Sequence, residues 1–197
     1  LMRLKKTHWR AIKAIIFFVS LWPLAQLVID GVNDGLGANP VETMHLTLGR
    51  WALRFLCLTL ALTPLRRLSG QRWPLRFRRM MGLFAFFYAS LHLLVFLWLD
   101  IEFSWHYFRQ EVTETPYLLL GLATYCLLLP LALTSSVNMQ KRLGRYWKTV
   151  HKLIYPAAVL ALLHYFMLVK SDLRQPLIYA AVIFILLVTR IQPKRNA

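Results

Sequence analysis

Three histidines fall inside long apolar runs, at His92, His151 and His164. A titratable ring in such a run is costly, so an intramembrane imidazole is a functional hypothesis by default. Neutral imidazole is also a common metal ligand and the usual axial ligand of haem iron. Depth decides which rings can meet. A helix entered near Met80 puts His92 about 18 Å along its axis, and one entered near Val150 puts His164 about 21 Å along its own. Two imidazoles from facing helices then lie at matching depth, as bis-histidine ligation of one haem b requires.

His151 behaves differently. It precedes His164 by 13 residues, about 19.5 Å along a helix and about 140° away in azimuth. Unless Pro156 re-phases the helix, spacing alone leaves His151 off the seam shared by His92 and His164. It marks a distinct site on the other side of the membrane. Arg78 and Arg79 lie at the same end of the chain's third apolar run. Guanidinium forks bind carboxylates and phosphates, so this pair suits haem propionates or the phosphate of flavin mononucleotide (FMN). Ordinary flanking charge is the competing account.

Arg50 and Arg54 are four apart and share a helix face. They sit near the outer end of their run, where counter-ions for propionates would be useful and where snorkelling is the alternative. His45 would be their outer neighbour and a candidate ligand or donor. His8 and His106 read as solvated.

The elements that must position these side chains are apolar helices. The chain has 197 residues, 58% hydrophobic and 16% charged, with mean hydropathy +0.49. That composition is typical of a polytopic membrane protein. Six apolar runs stand out, at about 11–29, 48–65, 80–99, 117–133, 150–169 and 177–189. A span needs about 20 apolar residues, so the last is short. No cleavage site of small residues follows the first run, which is expected to stay as a span. No internal repeat is evident, and the fold class expected is all-α: one six-helix membrane domain, a b-type cytochrome bundle.

Charge gives the orientation. Of the 24 Lys and Arg residues, nineteen lie in the N-terminal segment, the loops after runs 2 and 4, and the C-terminus, with no acid among them. All eight acids lie in the opposite loops, with only Arg109, Lys170 and Arg174. The positive-inside rule makes both termini cytoplasmic. The formal charge of +16 is therefore membrane flank rather than a nucleic-acid footprint, for no basic face with interleaved aromatics exists. Trp and Tyr near run ends, Trp147 among them, suit an interfacial belt.

Other chemistry is disfavoured. There is no HExxH, GxSxG, P-loop or GxGxxG. No chain of acids crosses a span, as a proton-coupled transporter would use. Cys57 and Cys126 read as small buried hydrophobes. Gly49, Gly82, Gly121, Ala85, Ala89 and Ala123 allow close approach of helices or of a flat macrocycle, helix packing being the simpler role.

Several stretches carry a resemblance: GLGANP (35–40), GRWALRF (49–55), RRMMGL (78–83) with LH (91–92), TPYLLLG (115–121), LALTS (131–135), KRLG (141–144), HY (164–165) and QPLIYA (175–180). In this order and spacing the chain resembles the MsrQ (YedZ) family, within the ferric-reductase-like transmembrane superfamily. The resemblance implies a haem-binding subunit of the bacterial inner membrane. Such a subunit passes electrons from quinone or a cytosolic flavin reductase to a periplasmic molybdopterin subunit that reduces methionine sulfoxide in oxidised proteins. It implies one or two b haems, with FMN as a further cofactor. The family's haem histidines match His92, His151 and His164, and its basic pair matches Arg78 and Arg79. Where the wider superfamily has two histidines on the third span, this chain has one. The rival readings are a ferric or metal reductase on the same scaffold and a non-redox scaffold or transporter.

Overall fold

The computed structural model describes residues 6–169 and 172–190. Arg3, Lys5, Lys170, Lys194 and Arg195, which entered the charge argument, lie outside the described residues. The elements in order are α1 (Lys6–Val32), α2 (Pro40–Ser69), a 3₁₀ turn (Trp73–Arg76), α3 (Arg78–Val95), a π turn (Phe96–Asp100), α4 (Trp105–Glu114) and α5 (Pro116–Leu133). They continue as α6 (Val137–Leu143), α7 (Tyr146–Val150), a 3₁₀ turn (His151–Leu153), α8 (Ile154–Leu168) and α9 (Arg174–Val188). No strand occurs among the described residues.

Five helical stretches are long and apolar enough to cross a membrane: Thr7–Val32, Pro40–Ser69, Arg78–Asp100, Pro116–Leu133 and Tyr146–Leu168. They match the first five expected spans. The sixth run forms α9, of 15 residues, about 22 Å long against a hydrocarbon core of about 30 Å. The loop after α3 contains α4, an exposed helix that no apolar run announced.

Local sequence sets the helix ends. Pro40 occupies the first turn of α2, and the Asn39 side chain accepts a hydrogen bond from the Glu42 N–H at 3.2 Å, a donor that otherwise has no partner in a first turn. Gly70 ends α2 at φ 65°, the left-handed conformation glycine adopts without strain. Pro64 lies inside α2 and has no N–H for the Leu60 carbonyl. Arg190 fills that gap from beyond α9: its guanidinium donates to the Leu60 carbonyl at 2.6 Å and to the Thr63 hydroxyl at 3.1 Å. From the sequence, Arg190 is one of the basic residues at the C-terminus and a possible extension of the short last run.

Helices α2 and α3 pack as an antiparallel hairpin, and so do α5 and α8; these are the two most extensive helix contacts. Phe55 of α2 stacks between Phe84 and Tyr88 of α3, at ring separations of 5.3 and 5.4 Å. Such aromatic pairs contribute about 0.5–1.5 kcal/mol each beyond their burial. The Tyr88 hydroxyl donates to the Ser20 carbonyl at 2.7 Å and so ties α1 to the hairpin. The outer surface is apolar, with Phe18, Val32, Leu68 and Phe184 all exposed, as lipid contact requires.

The two hairpins form an internal repeat, which corrects the expectation that none exists. His164 stands 72 residues after His92, Gly121 after Gly49, Ala157 after Ala85 and Leu128 after Leu56. Helices α2 and α5 begin at one face and α3 and α8 return to it, the arrangement of parallel repeats about an axis along the membrane normal. Most other positions of the two hairpins differ, so the pattern is faint in sequence.

Candidate functional site

The structure brings His92 of α3 and His164 of α8 together, their ring centres 6.1 Å apart and their planes at 79°. Each ring is oriented by the partner helix of its hairpin. His92 Nδ1 donates to the His45 carbonyl at 3.1 Å, and His164 Nδ1 donates to the Tyr117 carbonyl at 2.7 Å. A carbonyl can only accept, so Nδ1 carries the proton in both rings and Nε2 keeps its lone pair. That is the tautomer of a metal-ligating histidine with its other nitrogen fixed by a carbonyl.

The glycines that read as helix packing lie against these rings. A Cβ on Gly49 would sit 3.4 Å from His92 Cε1, and one on Gly121 would sit 3.0 Å from His164 Cε1. Acceptor, glycine and histidine recur at the same spacing in both hairpins: 45, 49 and 92, then 117, 121 and 164. Around the rings lies a largely apolar, partly open cavity. Every residue lining it, His45 excepted, belongs to a pair separated by 72 positions.

These features fit a planar metal macrocycle. Two imidazoles on opposite sides of one metal, at bonds of about 2.0–2.1 Å, place their ring centres about 6 Å apart. The donor set is two Nε2 lone pairs, and Arg50 lines the same cavity. Arg54, expected beside Arg50 as a second counter-ion, does not line it. Its Nε donates to the Tyr179 hydroxyl at 3.2 Å, and its guanidinium lies 4.5 Å over the Trp51 ring. An aromatic face and a hydroxyl satisfy this half-buried cation, so helix spacing alone overestimated how closely the two arginines act together.

His45, a candidate ligand, has Nε2 engaged by the Asp100 carboxylate at 2.6 Å. The π turn after α3 carries Asp100 to that position. The contribution of His45 to the cavity is its carbonyl on His92 and its ring, whose centre lies 5.1 Å from the His92 ring centre. Sequence reading missed Asp100.

A second, partly open cavity lies towards the opposite face and is lined by Arg78, Arg79, Ser135, Gln140, Trp147 and His151 among others. Leu56 and Leu128 line both cavities and so form the floor between them. His151 Nδ1 donates to the Trp147 carbonyl at 3.1 Å, which again frees Nε2. The Trp147 ring stacks on His151 at 4.0 Å and 28°, while its Nε1–H donates to the Thr134 carbonyl at 3.0 Å. Trp147 is therefore more than the belt residue expected.

The azimuth argument had placed His151 off the His164 face. Both nevertheless line interior cavities. The 3₁₀ turn at His151–Leu153 re-phases the helix, and a helix enclosed by several neighbours has an interior on more than one side. Arg79 and His92, also 13 apart, do the same without any 3₁₀ turn. His8 and His106 are exposed and lie outside both cavities. Cys57 is buried, but Cys126, expected to be buried too, faces outward.

Five long apolar helices define a multi-pass membrane protein, and imidazoles of a type able to ligate a metal line its two interior cavities. Residues 48–162 match the family model described as ferric reductase like transmembrane component. The chain is 46% identical over 193 residues to the protein-methionine-sulfoxide reductase heme-binding subunit MsrQ of Xanthomonas euvesicatoria pv. vesicatoria (strain 85-10), covering 95% of this chain and 88% of that one. It is 44% identical over 183 residues to the protein of the same description from Herminiimonas arsenicoxydans, covering 91% of this chain and 84% of that one. The chain belongs to the MsrQ family.

Proposed function

We propose that this chain is the haem-carrying membrane subunit of a methionine-sulfoxide reductase system and passes electrons outward across the bacterial inner membrane. The observation that carries the reading is the pair His92 and His164, both with Nδ1 bound to a carbonyl and Nε2 free, 6.1 Å apart across one cavity. A b haem bound there supplies one-electron chemistry. The chain's residues do the rest. The His45 and Tyr117 carbonyls fix the ligand tautomers, Gly49 and Gly121 leave room for the rings, and Arg50 offers positive charge to propionates. The apolar lining excludes water.

The inner cavity, with His151, Arg78 and Arg79, is the site of a second group, either another haem or FMN. Electrons enter from the cytoplasmic side, from quinone or a cytosolic flavin reductase. They leave through the outer cavity to a periplasmic molybdopterin subunit that repairs oxidised proteins. The charge asymmetry supports this orientation, for the cavity with the arginine pair lies towards the basic face and the His45–Asp100 pair towards the acidic one.

The test is the visible spectrum of the purified chain in detergent. Wild type shows a reduced b-type spectrum, and His92→Ala and His164→Ala each lose the outer component, while His106→Ala keeps it. A colourless wild type, or a double variant with full b-type absorbance, overturns the proposal. The matched family description also suggests a ferric reductase; that reading predicts rapid reduction of iron chelates by the reduced chain without any partner protein.

A further inference from the structure

The 72-residue repeat extends into the inner cavity. Leu56 pairs with Leu128, Thr59 with Leu131, Gly82 with Ile154 and Leu75 with Trp147, and all of these line it. His151 pairs in the same way with Arg79, which also lines it. In the outer cavity the corresponding pair is His92 and His164, the two facing imidazoles. The inner cavity is thus built on the same plan, with a guanidinium in place of one ring. Arg78, the neighbour of Arg79, pairs with Val150, which does not line the cavity.

We infer that Arg79 stands at the second axial-ligand position of the inner cavity, so that a haem held there takes one protein imidazole, from His151, and keeps one axial face open to a small ligand. The inference rests on the haem reading above. Arginine remains protonated in proteins and has no lone pair to offer a metal. Among the described residues lining the cavity there is no second imidazole, thiol or thioether. Arg79 and Gln140 both line this cavity, and their N–H donors suit a diatomic molecule or small anion that accepts hydrogen bonds. The outer haem, with both faces taken, does not accept such a ligand.

Carbon monoxide added to the dithionite-reduced, detergent-purified full chain tests this, with spin state read by electron paramagnetic resonance of the oxidised protein. In wild type part of the haem binds carbon monoxide and is high-spin, and His151→Ala loses that part. Arg79→His supplies the missing imidazole, abolishes carbon monoxide binding and converts the high-spin signal to low-spin. Arg78→His does neither, and Arg79→Leu keeps carbon monoxide binding.

Wild-type haem that is entirely low-spin and inert to carbon monoxide overturns the inference, whether one haem or two are present. So does an Arg79→His protein whose folded, haem-loaded form is spectrally unchanged. In each case the reading of the outer site stands if His92→Ala and His164→Ala still lose their component. A chain that carries no haem overturns both.

Discussion

The Leu60 carbonyl and the Arg190 guanidinium, 130 residues apart, meet at 2.6 Å. The contact exists because Pro64 cannot donate to Leu60. Arg190 thereby locks the end of the short helix α9 to the middle of the bundle.

Arg190→Met should cost about 1–3 kcal/mol, the penalty of an unsatisfied buried acceptor. Pro64→Ala restores an N–H four residues after Leu60, so the double variant should be less destabilised than Arg190→Met alone. Thermal melts of the four proteins in one detergent form a double-mutant cycle. Strict additivity would show that Arg190 acts elsewhere than on this carbonyl.

The two glycines beside the histidines should differ in sensitivity. A Cβ at position 121 meets His164 at 3.0 Å, whereas one at position 49 meets His92 at 3.4 Å. Gly121→Ala must therefore displace its ring, at a cost of about 1–3 kcal/mol for overpacking, and Gly49→Ala needs only a small adjustment. The expected result is partial haem loss or a shifted reduced spectrum in Gly121→Ala and a near-normal spectrum in Gly49→Ala. The reverse order would mean that the rings are not held as the structure shows.

The pairing of His92 with His164 was legible because depth along a helix is linear in residue number. The five long spans were legible because apolar length is a direct physical requirement of the bilayer. Azimuth was less legible, since interior direction depends on which neighbours enclose a helix. Hence His151 was placed off the seam, yet it lines an interior cavity. Arg54 shares a helix face with Arg50, but Trp51 and Tyr179 hold it elsewhere. Asp100 was invisible because a π turn, with no sequence signature here, delivers it to His45. The repeat was hidden for a related reason: most repeat-related positions carry different residues, so the identities are too scattered to announce it.

Asp100 pins the His45 side chain, while the His45 backbone carbonyl holds His92. Asp100→Ala should therefore separate these two roles. The pair is partly exposed, so its loss should cost no more than about 1 kcal/mol, read as a small fall in melting temperature. The reduced spectrum should stay in place, because the carbonyl–imidazole bond does not depend on the side chain. Loss of haem in Asp100→Ala would show that the pair governs the fold of the whole α2 entrance.

Trp147 offers two separable contacts, its Nε1–H on the Thr134 carbonyl and its ring on His151. Trp147→Phe keeps a ring for the stack and removes the donor. Trp147→Leu, which copies the residue at the repeat-related position 75, removes both. The lost hydrogen bond should cost each variant about 0.5–1.5 kcal/mol, seen as comparable falls in melting temperature. Both variants keep the bond from His151 Nδ1 to the backbone carbonyl of residue 147, but only Trp147→Leu removes the ring stacked on His151, so only it should alter the spectrum of the inner component, the outer component staying constant. If Phe and Leu perturb that spectrum equally, the hydrogen bond to Thr134 rather than the stacked ring is what orients His151, because that bond is the contact both substitutions remove.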